Sequence, residues 1–446
     1  MIVLSPMRRR ASILVGLLWC LALLSIVVIS VLHTARLDLL VQKNYGDRIQ
    51  ARYLALAGIE KAKALLYQDL RERQRARKNH TGDLYDNAAD FKDVPFGPGK
   101  FSVFRPPTEN ESGEVVYGIA DEESRMNVNY AAAQELAKLP GMAPEIVAAI
   151  TDWRDEDNTI SPGGAEAEYY TSLKPPSLPR NGTIQTTREL LMVRGISNQL
   201  LLGEGEHFPE LPDTNEPPVE ASQTIADRGW EEFLCVNGWA MNVNAAGEDR
   251  VNAQNADEKT LSGVQGITQD IAKAIVAYRG QNQLQSLADL LDVTAPQNQP
   301  GRSGANQNQN QGQPSGPKVI NEDLFLEIAD DVCVDGTKQQ PGPVNINTAN
   351  TQVLTCLPGM TPELAQAVVS YRRSIGYFPN VAWLLKTPGM TRAIFKEVVG
   401  RVTVRSETFR IISEGKVNSS GARQRIMAIV QISKDDVQTL SWREDL

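Results

Sequence analysis

Six carboxylates fall between residues 152 and 168: Asp152, Asp155, Glu156, Asp157, Glu166 and Glu168, set around Gly163-Gly164. A hard cation such as calcium takes several carboxylate and carbonyl oxygens from a flexible loop. Asp152, Asp155, Asp157, Glu166 and Glu168 offer such oxygens, although the regular spacing of a calcium loop is not there. A solvated acidic loop is the other reading of the same residues. Little else in the chain suggests chemistry. It has no Gly-x-Ser-x-Gly, no His-Glu-x-x-His and no phosphate-binding glycine loop. The three histidines, His33, His80 and His207, stand in unrelated contexts, so no zinc site is expected. Cys20, Cys235, Cys333 and Cys356 lack metal-ligand spacing; a single disulfide or buried lone thiols both fit. An enzyme is not expected.

The segment that organises everything else is Ala11–Leu32, which carries no charge. At about 1.5 Å per residue it is long enough to cross a bilayer core of about 30 Å as a helix. Arg8-Arg9-Arg10 precede it, so the N-terminus is expected in the cytoplasm and the rest across the membrane. The apolar run exceeds that of an ordinary signal peptide. Beyond it, Leu37, Val41, Tyr45, Ile49, Tyr53, Leu56, Ile59, Ala62, Leu66 and Leu70 return to one side at helical spacing. One long helix is therefore predicted, ending at His80-Thr81-Gly82, with Gly46 and Gly58 as places for bending or close packing.

Past this helix, Phe101–Phe104 and Val115–Ile119 read as short strands. A unit then occurs three times. Asn127-Val-Asn129, Asn252-Ala-Gln254 and Asn345-Ile-Asn347 each lead through a glycine turn to an aromatic-arginine pair. The interval from glycine to arginine is 13 residues in each copy: Gly141 to Arg154, Gly266 to Arg279, Gly359 to Arg372. In the first copy Asn129 is the expected cap of a helix over 131–139, followed by a second helix Pro144–Trp153. A further helical half follows each copy. In the first it is delayed by the acidic excursion and resumes at Thr186–Ile196. Pro296–Pro317 is almost all Gln, Asn, Gly, Ser and Pro, and reads as a linker between the middle and last copies. Pro209–Pro218 reads as a shorter acidic loop. Strands are predicted at Arg401–Arg405, Thr408–Glu414 and Arg423–Ile432, as an antiparallel meander.

Glycine-turn helical pairs can bind a nucleic-acid phosphate through their turn amides. Here glutamates follow the turns in PGMAPE and PGMTPE, and acidic residues outnumber basic ones 54 to 45, a net charge of −9. The expected role of the turns is to close compact helical pairs, with no nucleic-acid partner.

These pieces resemble the minor pseudopilin K of type II secretion systems, the general secretion pathway protein K family. The resemblance rests on Leu17–Leu24, Asp121-Glu-Glu-Ser-Arg-Met-Asn127-Val-Asn129, Asp152-Trp-Arg-Asp-Glu-Asp157 and Gly164-Ala-Glu-Ala-Glu-Tyr169-Tyr170. It continues in Asn345-Ile-Asn347-Thr-Ala349, Leu357-Pro-Gly359 and Phe409-Arg-Ile. It implies an α+β fold: a pilin-like long helix, a small antiparallel pseudopilin sheet and a large all-helical insertion with helix-hairpin-helix-like repeats. The expected layout is a basic leader (1–10), a membrane helix (11–32) and its extension (33–80). First strands follow (81–120), then an insertion with two repeats (121–295) and the linker (296–317). A last repeat (318–398) and C-terminal strands (399–446) complete it.

The implied function is a structural tip subunit of a secretion pseudopilus, held in the bacterial inner membrane by one span with its bulk periplasmic. Implied partners are I- and J-type minor pseudopilins, the inner-membrane platform and secreted proteins. The stripe residues Leu37, Val41, Ile49, Leu56, Ile59 and Leu66 are the expected partner surface. A prepilin peptidase site is implied between Arg10 and Ala11, with arginine where the family usually has glycine and Val15 where other pilins have glutamate. The resemblance also favours calcium at the acidic loop. A membrane-anchored DNA-uptake protein and a plain envelope scaffold are the alternatives.

Overall fold

The computed structural model describes residues 8–79, 83–108, 115–203, 229–295 and 316–444. The predicted helix break at His80-Thr81-Gly82, the acidic loop Pro209–Pro218 and all but the end of the linker Pro296–Pro317 lie outside the described residues. One α-helix runs from Arg8 to Ala76, 69 residues. Its two halves behave differently. From Ile13 to Leu40 every large apolar side chain is exposed, and so are Val41, Tyr45 and Tyr53. From Ala51 onward one face is covered: Ala51, Leu54, Ala55, Ile59, Ala62, Leu66 and Leu70 are buried, at the three- and four-residue spacing of a helix face.

That face lies on an antiparallel sheet. Its path runs Val94–Phe96, Gly99–Phe104, Thr408–Val417, Arg423–Ile432, Val437–Arg443, and Ala120–Asp121 also pairs with the central strand Thr408–Val417. Ile59, Ala62, Leu66, Phe101, Val103, Ile411, Ile426, Ala428 and Val430 share one core. Helix and sheet approach so closely that side chains are excluded at the crossing. A Cβ on Gly58 would stand 2.2 Å from Ser413 Oγ, and one on Gly415 would stand 2.1 Å from the Ala51 carbonyl oxygen.

The strand predicted over Val115–Ile119 is not formed. Its backbone is used by other partners: Asn87 N–H donates to Tyr117 O, Gly118 N–H to Val103 O and Ile119 N–H to Leu84 O. Only a bridge from Val116 to Arg105 and the short strand Ala120–Asp121 remain. The predicted strand Arg401–Arg405 is also corrected. Val402–Thr403 pairs in parallel with Val344–Asn345, outside the meander.

Residues 122–407 leave the sheet after Asp121 and return at Thr408. They contain three units with the same wiring. Each opens on a two-residue strand and closes on a parallel one: Met126–Asn127 with Leu234–Cys235, Val251–Asn252 with Val332–Cys333, Val344–Asn345 with Val402–Thr403. The first Asn of each motif accepts from the amide two residues on, in Asn127, Asn252 and Asn345. The third residue reaches across to the second helical half. Asn129 accepts from Ile184 N–H, Gln254 from Leu284 N–H and Asn347 from Phe378 N–H. Asn129 is thus a cross-link and not a helix cap. The helix after it is short, Ala133–Leu136, and Glu135 caps it by accepting from Ala132 N–H.

The three spaced arginines do one job. Arg154 donates to Val128 O and Ala131 O, Arg279 to Ala253 O, and Arg372 to Ile346 O and Ala349 O. Each holds the opening loop of its unit to the end of the long hairpin helix. The units also interlock: Lys138 of the first donates to Thr355 O and Leu357 O of the third, and Lys396 of the third pairs with Asp289 of the second.

The expected boundary at 296–317 is corrected by this wiring. Val319 N–H donates to Val293 O and Ala295 N–H to Pro317 O. Glu322–Ile328 and Val332–Cys333 then finish the middle unit. The polar segment interrupts that unit rather than separating it from the last one. The paired chain on either side closes the unit. All four cysteines are unpaired; Cys235, Cys333 and Cys356 are buried and Cys20 is exposed.

Arg372→Met removes two charge-assisted bonds and leaves two buried carbonyls unmet, so a loss of about 2–3 kcal/mol is expected. Arg373, one residue on, is exposed, and Arg373→Met is expected to change little. Urea unfolding of the two variants checks this.

Candidate functional site

The acidic excursion of the first unit begins where the helix Pro144–Arg154 ends. Asp155 is the C-cap residue, with extended backbone, and its amide donates to Thr151 O. The chain then loops out and turns back through Ser161–Gly164. Gly164 N–H donates to Ser161 O, and a Cβ on Gly164 would collide with Asp152 Oδ2 at 2.0 Å. Glu166 begins the helix Ala167–Ser172.

This path brings Asp155, Asp157 and Glu166 together, with ligand oxygens all within 4.8 Å of one another. Glu166 is only 2% exposed, yet both of its oxygens lack a hydrogen-bond partner, as does Asp155 Oδ1. Burial first, then the negative charges of Asp152 and Asp155, pushes the Glu166 carboxyl above its usual range. Burial, then Asp157 and Asp152, does the same to Asp155. Asp155 and Glu166 thus bring unmet buried oxygens beside the exposed Asp157, whose Oδ1 accepts from Thr159 N–H.

Two of the expected ligands are placed elsewhere. Asp152 is fully buried behind the cluster, where its carboxylate accepts from Ser161 N–H and holds the turn. Glu168 is exposed and outside the group. Both differ from the sequence reading because position along the chain does not say which side of a turn a carboxylate occupies.

The expected partner stripe divides in the same way. Leu37, Val41 and Ile49 are exposed at 49%, 66% and 38%. Leu56 is half-buried. Ile59 and Leu66 lie in the protein's own core, so they present nothing to a partner. A helical stripe has the same spacing whether a sheet of the same chain covers it or a neighbour does. Arg10 and Ala11 lie in the opening turn of the long helix.

The turn glycines Gly141, Gly266 and Gly359 are exposed, with side chains of neighbouring elements close beside them. A Cβ on Gly266 would meet Leu324, Ile328 and Glu327, and one on Gly359 would meet Glu397 and Ile394. A set of buried charges was missed as a site. Asp121, Glu122, Glu123, Arg125, Arg405, Glu407 and Arg410 are all buried at the sheet-to-insertion junction. The run Asp-Glu-Glu directly after an apolar strand was the available signal.

The sequence model of the family "Type II secretion system (T2SS), protein K" matches residues 116–202. Residues 116–202 are thus similar to a type II secretion protein K domain. Asp155, Asp157 and Glu166 lie wholly within the matched residues. The helix-hairpin-helix family model matches residues 247–295 and 339–403, the middle and last units.

Type II secretion system protein K of Aeromonas hydrophila is 44% identical over 71 residues, 16% of this chain and 22% of that protein. The mouse endonuclease/exonuclease/phosphatase family domain-containing protein 1 is 28% identical over 157 residues, 34% of this chain and 27% of that protein. The chain thus spans about a quarter of the length of the curated relatives it matches. A crystal structure of the GspK-GspI-GspJ complex from the enterotoxigenic Escherichia coli type 2 secretion system superposes with a TM-score of 0.44 at 12% identity. That match covers 92% of this chain and 99% of that one.

Glu166→Gln removes a buried charge that has no partner. In chelator the variant of the full-length chain is expected to be more stable than the parent at pH 8, by about 1–3 kcal/mol. The sign follows from the raised carboxyl: its folded state prefers the proton, so the parent loses stability as pH rises. The gap between variant and parent should shrink towards pH 4. Thermal melts at both pH values check it.

Proposed function

We infer that the chain is a structural minor pseudopilin at the tip of a type II secretion pseudopilus, supporting protein export across the outer membrane. One observation carries this reading: the K domain is inserted into a sheet packed on half of a helix whose other half is bare. The helix is long and apolar enough to cross a membrane, with mean hydropathy 2.8 in its best window and none of that window buried. With Arg8–Arg10 cytoplasmic, the sheet and insertion fall on the periplasmic side of the inner membrane. Prepilin peptidase would cut between Arg10 and Ala11. The role is non-enzymatic.

The bare stretch Leu37–Tyr45 continues the membrane helix beyond the bilayer, and helix packing against other pseudopilins covers it. I- and J-type minor pseudopilins are the partners the family supplies, with the inner-membrane platform and secreted proteins further along the path. Val15 has no carboxylate to offer the amine of a neighbouring subunit, and a bulky insertion crowds a thin filament if repeated. Both favour one copy at the tip.

Calcium is the cation proposed for Asp155, Asp157 and Glu166, with backbone carbonyls and solvent completing its shell. Bound calcium would offset the mutual repulsion of these carboxylates and hold the excursion against the helix Pro144–Arg154. On this reading calcium raises the melting temperature of the parent and leaves Glu166→Gln unmoved.

A DNA-binding role is the second reading, favoured by the helix-hairpin-helix match. Glu327 and Glu397 beside the glycine turns weigh against it, as do Arg279 and Arg372, whose guanidiniums are spent on carbonyls of their own units.

Photo-cross-linkers at Leu37 and Val41 should capture I- and J-type pseudopilins. Leu37→Asp with Val41→Asp should weaken that capture with the sheet still folded. A ladder of self-multimers would exclude the tip role and favour an envelope scaffold. Salt-sensitive DNA retention would favour the second reading.

Orientation is checked separately by reporter fusions after Lys100 and after Leu440. Both should report periplasmic.

A further inference from the structure

The chain crosses between its two lobes twice, outward at Asp121–Glu123 and back at Arg405–Thr408. Both crossings carry buried carboxyl groups. Asp121 is 4% exposed, Glu123 0% and Glu407 8%. Glu123 Oε1 accepts from Glu407 N–H and Thr408 N–H, each at 3.2 Å, while its Oε2 is buried and bonded to nothing. Glu407 Oε2 accepts from Met241 N–H at 3.1 Å, in the strand Trp239–Met241 of the insertion. Asp121 Oδ2 accepts from Asn345 Nδ2 at 2.9 Å, from Ser406 Oγ at 2.7 Å and from Thr348 Oγ1. Outgoing chain, returning chain and insertion are thus tied through three carboxyls.

We propose that this joint is proton-sensitive: with Glu123 and Glu407 protonated it clamps the insertion to the sheet, and their ionisation loosens the clamp with both lobes still folded.

The charges around the joint leave these two groups without full partners. Glu407 faces Arg405 on its own segment, Arg73 on the long helix and Arg250 on the middle unit. Two of those arginines are already engaged, since Arg405 and Arg250 both pair with Asp330, at 2.9 and 3.1 Å. Arg125 and Arg410 are likewise taken by Glu122. Glu123 faces Asp121 and Glu407, both acidic, and Tyr85, and Tyr85 in turn faces Asp69 and Arg73.

Burial, only partly opposed by Arg405 and Arg73, pushes Glu407 up to about 7. Burial, then Asp121 and Glu407, pushes Glu123 well above its usual value. The sign is the same for both. A carboxyl raised in the folded state contributes stability that is complete below its ordinary value of 4.5 and is lost as pH rises through the folded one. For Glu407 the window is about pH 4.5 to 7. A groove lined by Asn79, Asn244, Ala245 and Asp330 lies beside Arg405, which donates to Asn79 and Asp330.

Hydrogen exchange of the full-length chain in detergent micelles tests the joint. After correction for intrinsic rates, peptides covering 238–243 and 404–410 should open on the order of tenfold more at pH 8 than at pH 5.5. Strand Arg423–Ile432 and residues 344–349 should hold at both pH values. Glu407→Gln keeps an acceptor for Met241 and should abolish the difference. Glu123→Gln, on the other crossing, should reduce it and serves if the first variant does not fold. Equal opening of the parent at both pH values would overturn the proposal. So would an unchanged difference in the variants, or parallel loosening of every peptide.

Discussion

Glu122 has no exposed surface, and its carboxylate is gripped by two guanidiniums. Arg410 Nε and Nη2 donate to its two oxygens at 2.9 Å each, and Arg125 Nη1 donates at 2.8 Å. Burial pushes this carboxyl up, but Arg410 and Arg125 outweigh burial and hold it below its usual value. Arg410 belongs to the central strand of the sheet and Arg125 to the start of the insertion, so one carboxylate locks one lobe to the other. Removing a partner from such a buried set costs about 3–5 kcal/mol, because the remaining charge stays in the interior unpaired. The contact thereby couples the central strand of the sheet to the first unit of the insertion.

What hangs from that junction is a set of three units built on one plan. Each needs a side-chain amide that bridges two helical halves, an arginine that caps the opening loop and a parallel strand pair that closes the ring. Because the plan closes on itself, chain can be added at several points without disturbing it. The first unit takes its addition after Arg154, where it builds the carboxylate cluster. The middle unit takes one after Ala295, and the last has neither. The addition after Arg154 returns to the end of a helix, where Asp155 and Glu166 keep buried oxygens without partners.

The long helix links this assembly to the proposed role. Over Ala51–Leu70 it is a component of the chain's own core, and Gly58 and Gly415 let it lie almost on the strands. Over Ile13–Tyr45 it has no cover from this chain. A helix cannot leave so much apolar surface in water, and a bilayer followed by neighbouring helices satisfies it. The folded half fixes the direction in which the bare half points.

Much of this was legible in the residues. Periodicity alone showed the long helix, because a face that must be buried repeats every three or four positions wherever its partner lies. Alternation showed strands at Thr408–Glu414 and Arg423–Ile432, the first of which runs on to Val417, and the constant interval from glycine to arginine marked the three units. The K-family resemblance rested on short motifs whose roles are now plain: Asp121–Arg125 is the junction, and Asn345-Ile-Asn347 is an opening loop. Other decisions belonged to the tertiary structure alone. Whether Ile59 and Leu66 face a sheet or a partner is invisible in a stripe that reads the same either way. Asp152 and Glu168 looked like Asp155 until the chain turned, because carboxylates differ in role only by what surrounds them. Val402–Thr403 looked like part of the meander until Val344–Asn345 took its hydrogen bonds. Local spacing records which side chains must be buried or paired; only the folded chain decides with what.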